Sequence, residues 1–311
     1  MIESKIKFVG LHAHSVFSVF DGLGYPKDHM DFAYENGCDA LALTDHGNMN
    51  GLAHQVLHAK KMNAEGKTFK PIFGIEGYFI DSIDNWKQEY AVIQEKKKGR
   101  KKEEAGAVVI EDENATKRKE KNIINRRAHL VLLAQNQIGL NNLFQLISKS
   151  FNGDSFYRYP RIDYKMLAEH HEGIIVSSAC MGGPLSKDYW NNREEGPEAV
   201  QAAMLKTINS FVEIFGDRFY GELQWNTVPE QHDINKHIIE ATKKTGVSLI
   251  STADSHYPRP ELFKDRELYR QLGWLGRSKP DYANNVLPQS REELKYELYP
   301  KNGDEMWEKK I

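Results

Sequence analysis

Short apolar runs rich in β-formers recur seven times along the chain, with helix-like stretches between most of them. The runs are KFVGLHAHS, DALALTDHG, PIFGIEGYFI, RAHLVLLAQN, GIIVSSACMGG, FYGELQWN and VSLISTADSHY. The helical stretches include PKDHMDFAYENG, with a Pro near its start and Gly37 at its end, and patterns at 51–65, 197–215 and 230–245. Such alternation predicts an α/β fold: a parallel sheet backed by helices and closed, or nearly closed, on itself. Seven units make a (β/α) barrel one unit short of eight. Residues 87–122 break the rhythm with QEKKKGRKKEE and EDENATKRKEK. Composition so charged cannot bury a core, and it reads as a solvated insertion more readily than as a basic arm for a phosphate backbone.

Barrel enzymes assemble their sites at the C-terminal ends of the strands. The first run ends with His12 and His14, at i and i+2 and therefore on one face. The second ends with Asp45 and His46, the third carries Glu76, the fifth ends with Cys180, and the last ends with Asp254 and His256. His129 is off-pattern because it opens its run; either that strand starts earlier or a bend brings the residue to the site. Asp21, in the turn-like FDG, adds a carboxylate, and Glu222 is a weaker candidate. Taken singly, Cys180 reads as a small buried apolar residue, Glu76 as a turn carboxylate and His129 as a satisfied core histidine. Together, nine such groups on six strands are too many for one tetrahedral ion. They suit two or three ions that share carboxylates. A multi-metal site of that kind hydrolyses phosphoesters, with water as the nucleophile. The chain has no GxSxG elbow, P-loop or dinucleotide fingerprint.

The formal net charge is −2, so an anionic substrate must be met by local charge or by bound metal. Arg161, in YPRID, is the candidate cation, since its planar fork suits phosphate; the alternative is a structural ion pair with Asp163. Asp45 is read as a catalytic carboxylate beside the ligands. The two cysteines, Cys38 and Cys180, are too few for a disulfide framework. That usage fits a cytoplasmic location, as does the lack of a signal-like start or an apolar run long enough to span a membrane.

The stretches LHAHSVFSVFDG, ALALTDHGNMNG, PIFGIEGYF, HLVLLAQNQIGLNNL, FYRYPRID, SSACMGG and STADSHY resemble the PHP (polymerase and histidinol phosphatase) superfamily. Within it they are most similar to the N-terminal domain of C-family replicative polymerases, the polymerase III alpha subunits of bacterial or phage origin. The resemblance covers about residues 6–280. It implies a distorted seven-stranded (β/α) barrel whose metal ligands are His12, His14, Asp21, His46, Glu76, His129, Cys180, Asp254 and His256. The ions implied are two or three of zinc, manganese or iron. The activity implied is a proofreading 3′–5′ exonuclease on single-stranded or frayed DNA. Implied partners are the palm, thumb and fingers, in cis or as a separate chain, and a sliding clamp. Residues 281–311 then read as the start of the connection to a palm, because no paired palm carboxylates follow. Two other functions stand beside this one: a metal-stabilised structural module, and a small-molecule phosphatase.

Overall fold

The computed structural model of the protein describes residues 2–103, 122–274 and 287–308. Half of the charged segment, residues 104–121, and the first part of the tail lie outside the described residues. The first half of the chain contains α1 (Pro26–Glu35), β1 (Ala40–Leu43), α2 (Leu52–Ala64), β2 (Lys70–Phe79), α3 (Ile83–Glu103), β3 (Ala128–Ala134) and α4 (Gln137–Ser150). Next come β4 (Phe156–Tyr157), β5 (Tyr159–Ile162), α5 (Tyr164–Glu169), β6 (Ile174–Ser177), α6 (Pro184–Asn192) and α7 (Pro197–Phe215). The chain continues through β7 (Phe219–Gln224), α8 (Pro229–Thr245), β8 (Leu249–Thr252), α9 (Phe263–Trp274) and α10 (Gly303–Glu308).

The strands form a ring. β1 runs parallel to the first half of β2, and β3 runs antiparallel to its second half. β3 is also antiparallel to β6, while β6–β7 and β7–β8 are parallel. Residues 10–14 close the ring. On one side Ala42 and Thr44 donate to the carbonyls of Gly10 (2.8 Å) and Ala13 (2.7 Å); on the other, His14 donates to Ser255 (2.7 Å) and Ser255 to His12 (3.2 Å). The hairpin β4–β5 sits outside the ring, with β5 pairing the end of β2.

Two expectations need correction. The first apolar run is not a regular strand, and joins its neighbours only through bridges at Gly10 and Ala13. The sheet is not wholly parallel, because β3 is reversed with respect to both neighbours. The reversal accounts for His129. A strand that enters where the others leave carries its first residues, not its last, at the ligand-bearing end. Cross-strand pairing sets His129 opposite Tyr78, two residues beyond Glu76.

Local sequence explains where the helices begin. Pro26 opens α1, where its missing N–H costs nothing, and Asp28 accepts from the Tyr25 N–H (2.8 Å). Asn136 caps α4 through Gly139 N–H (3.0 Å), and Asp163 caps α5 through Met166 N–H (3.0 Å). The helices cover the outer faces of the strands. Leu143, Met204, Phe211, Ile234 and Ile238 are all buried against Ile75, Leu130, Leu132, Val176 and Phe219. Each such side chain contributes roughly 1.5–3 kcal/mol of transfer free energy. Phe211 stacks on Phe219 at 4.9 Å between ring centres, so Phe219→Ala would open a cavity between α7 and the sheet. The described tail lies against this body: Leu298 accepts from His256 N–H (2.6 Å), and Asp304 from Lys5 and Ile6 N–H (3.0 and 3.1 Å). Among the described residues no helix is long and apolar enough to cross a membrane.

Candidate metal centre

Three of the histidines at the ring's mouth are aimed by a partner on the far nitrogen. His12 Nδ1 donates to Glu222 (2.7 Å), and His256 Nδ1 donates to the Asp254 carbonyl (2.7 Å). His14 Nδ1 lies 2.9 Å from Ser18 Oγ. That hydroxyl also accepts from the His46 N–H (3.1 Å) and donates to Asp45 (2.7 Å). Its one proton is thereby used, so His14 must carry hydrogen on Nδ1. In all three rings Nε2 is left facing inward, the arrangement by which outer partners orient a metal ligand. The turns at the mouth are tight: Asp254 and Ala179, which precedes Cys180, hold φ of 48° and 55°, a region costly for non-glycine residues.

The inward atoms converge on Glu76, whose two oxygens serve different neighbours. Oε1 is 3.3 Å from His12 Nε2, 3.0 Å from His129 Nδ1 and 3.6 Å from Cys180 Sγ. Oε2 is 2.6 Å from His46 Nδ1 and 3.5 Å from His14 Nε2. Asp254 Oδ1 lies 3.3 and 3.4 Å from Nε2 of His12 and His14. Asp21 Oδ2 closes the outer side, 3.1 Å from His46 Nε2 and 3.5 Å from His256 Nε2. His12 and Glu76 have no exposed side-chain surface, whereas His129 keeps 23% and Asp21 34%, so the centre opens to solvent on the Asp21–His129 side.

Five of these atoms crowd together without a hydrogen bond. His12 Nε2, His14 Nε2, His46 Nδ1, Glu76 Oε2 and Asp254 Oδ1 are all buried and none has a hydrogen-bond partner. Buried polar atoms left unpaired cost about 1–3 kcal/mol each. Their lone pairs point at shared points in space, as ligands to cations do. Among the described residues three triads have donor atoms within 4.8 Å of one another: His14–His46–His256, His12–His14–Asp254 and His46–Glu76–His129. The donor set of imidazole, carboxylate and thiol would fit borderline divalent ions.

The electrostatics agree with that fit. Burial and the neighbouring His46 and His256 push His14 down to about 3. Burial opposes charge on His12 and His46, yet the carboxylates beside them carry both well above the ordinary range. Against its own burial, Glu76 is held well below the carboxylate range by His129, His46 and His12. Burial, Glu76 and Asp254 push the Cys180 thiol up. Without ions, protons on two imidazoles balance the carboxylates; ions would take their place.

A family match covers residues 10–226: the PHP domain. The chain belongs to the PHP domain family. It is similar to DNA polymerase III subunit alpha of Aquifex aeolicus, at 35% identity over 82% of this chain, and of Thermus aquaticus, at 33% over 83%. The same subunit of Borreliella burgdorferi matches at 30% over 98%. The matches cover 18–22% of those proteins, so the chain spans about a fifth of the length of the curated relatives it matches.

Two candidates of this PHP chain do not face the centre. Both oxygens of Asp45 are taken by Ser15 and Ser18, so it orients His14 through Ser18 and is not positioned as a catalytic carboxylate. Arg161 is fully buried elsewhere. Its guanidinium donates to the carbonyls of Ile124 (2.5 Å), Tyr157 (2.8 Å), Tyr159 and Arg126 (both 3.3 Å), and lies 4.3 Å from the centre of the Trp86 ring. It neither reaches a phosphate nor pairs with Asp163. Glu222 is saturated by His12, Ser177, Thr252 and Gln224, so it aims a ligand and does not supply one. Sequence reasoning missed Arg266, buried in α9 with two donors on Asp21, at Oδ1 (2.6 Å) and the backbone O (3.0 Å). It also missed Ser18. The spacing of Ser18 four residues after His14 is the only sequence hint of its role, and it is a weak one.

Proposed function

We propose that the pocket holds two or three divalent ions of the zinc, manganese or iron type. On this reading the protein is a metal-dependent phosphodiesterase, acting as a 3′–5′ exonuclease within a polymerase III alpha subunit. The observation that carries it is the convergence of five buried, unpartnered ligand atoms at one end of the ring. His12, His14, Asp21, His46, Glu76, His129, Cys180, Asp254 and His256 are the proposed ligands. When bound, such ions polarise phosphoryl oxygens and make water a competent nucleophile near neutral pH.

The chain's own groups do the rest. Glu222, Ser18 and the Asp254 carbonyl fix the faces of three imidazoles. Arg266 holds Asp21 against the open side. A site at the mouth of the ring should admit a melted 3′ end more easily than paired duplex, and unpairing costs least at a mismatch. The remaining polymerase, in cis or as a separate chain, and a sliding clamp are the partners this reading supplies.

The test compares release of the 3′ nucleotide from mismatched and paired primers with turnover of p-nitrophenyl phosphate. The expected order is mismatched primer, paired primer, monoester. His14→Ala and Asp254→Ala should abolish cleavage and leave the barrel folded. A fully metallated protein inert on every 3′ end overturns the nuclease reading and leaves a metal-held structural module. Preference for the monoester makes it a phosphatase.

A further inference from the structure

Arg126 and Arg127 are adjacent and differently used. Arg126 forms a two-pronged pair with Glu89, at 2.9 and 2.8 Å. Arg127 makes no ion pair among the described residues. Its Nη1 donates to the Asn125 carbonyl (3.0 Å), and its Nε is buried with no acceptor. Two tyrosines hold it in place: the guanidinium carbon lies 3.9 Å from the centre of the Tyr159 ring and 5.3 Å from that of Tyr78. A cation over aromatic faces is attracted by their quadrupoles and keeps the edge of its fork free for an anion.

The same tyrosine touches the metal centre. The Tyr78 ring stacks with His46 at 6.0 Å between centres and lies 5.8 Å from His129. One aromatic ring therefore separates an unneutralised arginine from two proposed ligands, on the side where His129 opens to solvent. The guanidinium and the His46 ring thus meet the same tyrosine ring, so one strand crossing it can touch both. Tyr159 meets Tyr78 edge-on at 5.4 Å and offers a second ring beside the cation.

We propose that Arg127, seated on Tyr78 and Tyr159, is a phosphate-binding cradle. It grips the backbone of a single nucleic-acid strand one nucleotide away from the bond at the metal centre. The inference rests on the phosphodiesterase reading for its substrate, but it is a claim about binding. Arg127 offers Nη2–H to the phosphate next to the scissile one.

Fluorescence anisotropy of a labelled ten-nucleotide oligothymidylate on the full 311-residue chain tests it. The probe carries phosphorothioate linkages to block cleavage. Arg127→Gln should weaken binding about tenfold and lower the slope of log affinity against log salt by about 0.7, one phosphate contact on a single strand. Arg127→Lys should recover part of the affinity, and the surface control Lys236→Ala should change nothing. Metal stoichiometry and the thermal midpoint of each variant separate lost contact from lost fold. Unchanged affinity and slope in Arg127→Gln overturn the cradle, even if the wild type cleaves DNA. A wild type that never cleaves, yet binds through Arg127, keeps the cradle and removes the nuclease reading. If inorganic phosphate competes as well as the oligonucleotide, the site is for a small anion and not a strand.

Discussion

Two regions of this molecule bury charge, and they bury it in opposite ways. Around Arg161 every prong of the guanidinium ends on a backbone carbonyl, and an indole ring covers its face. Burial and the nearby Arg127 lower it only to about 10, so it stays charged at neutral pH. At the mouth of the ring, five buried polar atoms face one another and make no hydrogen bond. The first arrangement is a finished structure; the second needs something that is not protein. Satisfied burial marks a group that holds the fold together. Unsatisfied burial, gathered at one place, marks a group kept for a ligand.

The sharpest way to break the contrast is to withdraw the ligand. Chelation should destabilise the chain by about 4 kcal/mol for each ion held at a thousandfold excess over its Kd. For two ions the thermal midpoint should fall by roughly 10 °C or more. Differential scanning calorimetry before and after exhaustive chelation, with elemental analysis, reads this directly. An unchanged midpoint in a protein shown to have lost its metal would mean that the unpaired atoms are tolerated, and the contrast would collapse.

The converse experiment removes the satisfied charge. Arg161→Met leaves four carbonyls without their donor and should cost about 3–5 kcal/mol, measured by urea unfolding. The folded fraction should keep its full complement of metal, because none of those carbonyls belongs to the centre. Metal loss at unchanged stability would place Arg161 in the site after all.

What was legible in the sequence follows the same division. His12, His14, His46, Asp254 and His256 were readable because short spacings at strand ends fix the face a residue takes before any tertiary structure is known. Seven barrel units were readable from apolar periodicity. The reversal of β3 was not, since a strand reads the same in either direction and only the loops around it decide its sense. Arg161 misled because a lone arginine in a polar-looking stretch carries no mark of burial; its partners are carbonyls, which every sequence has. Glu222 looked like a ligand, and Asp45 like a catalytic carboxylate, for a related reason. A carboxylate that positions a ligand and one that serves as a ligand are the same residue type, and only the direction of their oxygens separates them.

A smaller effect probes that last distinction. Glu222 supports His12 from behind and donates no atom to the centre. Glu222→Gln should therefore weaken metal binding by roughly 10–100-fold without abolishing it, the usual range for an outer partner of a metal-bound histidine. Competition against a chromogenic chelator measures the shift. Complete loss of metal would make Glu222 a ligand in its own right.

The least change is expected from pH, and it separates the two states of the centre by sign. In the metal-free protein His12 and His46 sit well above the ordinary value of 6.5, so their stabilisation is complete below 6.5 and is lost as pH rises above it. His14 and His29 are pushed down to about 3 and about 4, by burial first, so they cost stability as pH falls below 6.5. The two pairs act in adjoining windows, and metal-free stability should peak near pH 6.5. The loaded protein behaves differently. Its ligand nitrogens and the Cys180 thiol carry no protons, while the unfolded chain holds them up to about 6.5 for imidazole and about 9 for thiol. Loaded stability should therefore rise with pH through 6.5 and on toward 9, where the metal-free curve declines. Urea midpoints at pH 6, 7, 8 and 9, with and without metal, give the two slopes. Parallel curves would mean that no proton leaves when metal enters, and that the imidazoles and the thiol at the mouth of the ring are not its ligands.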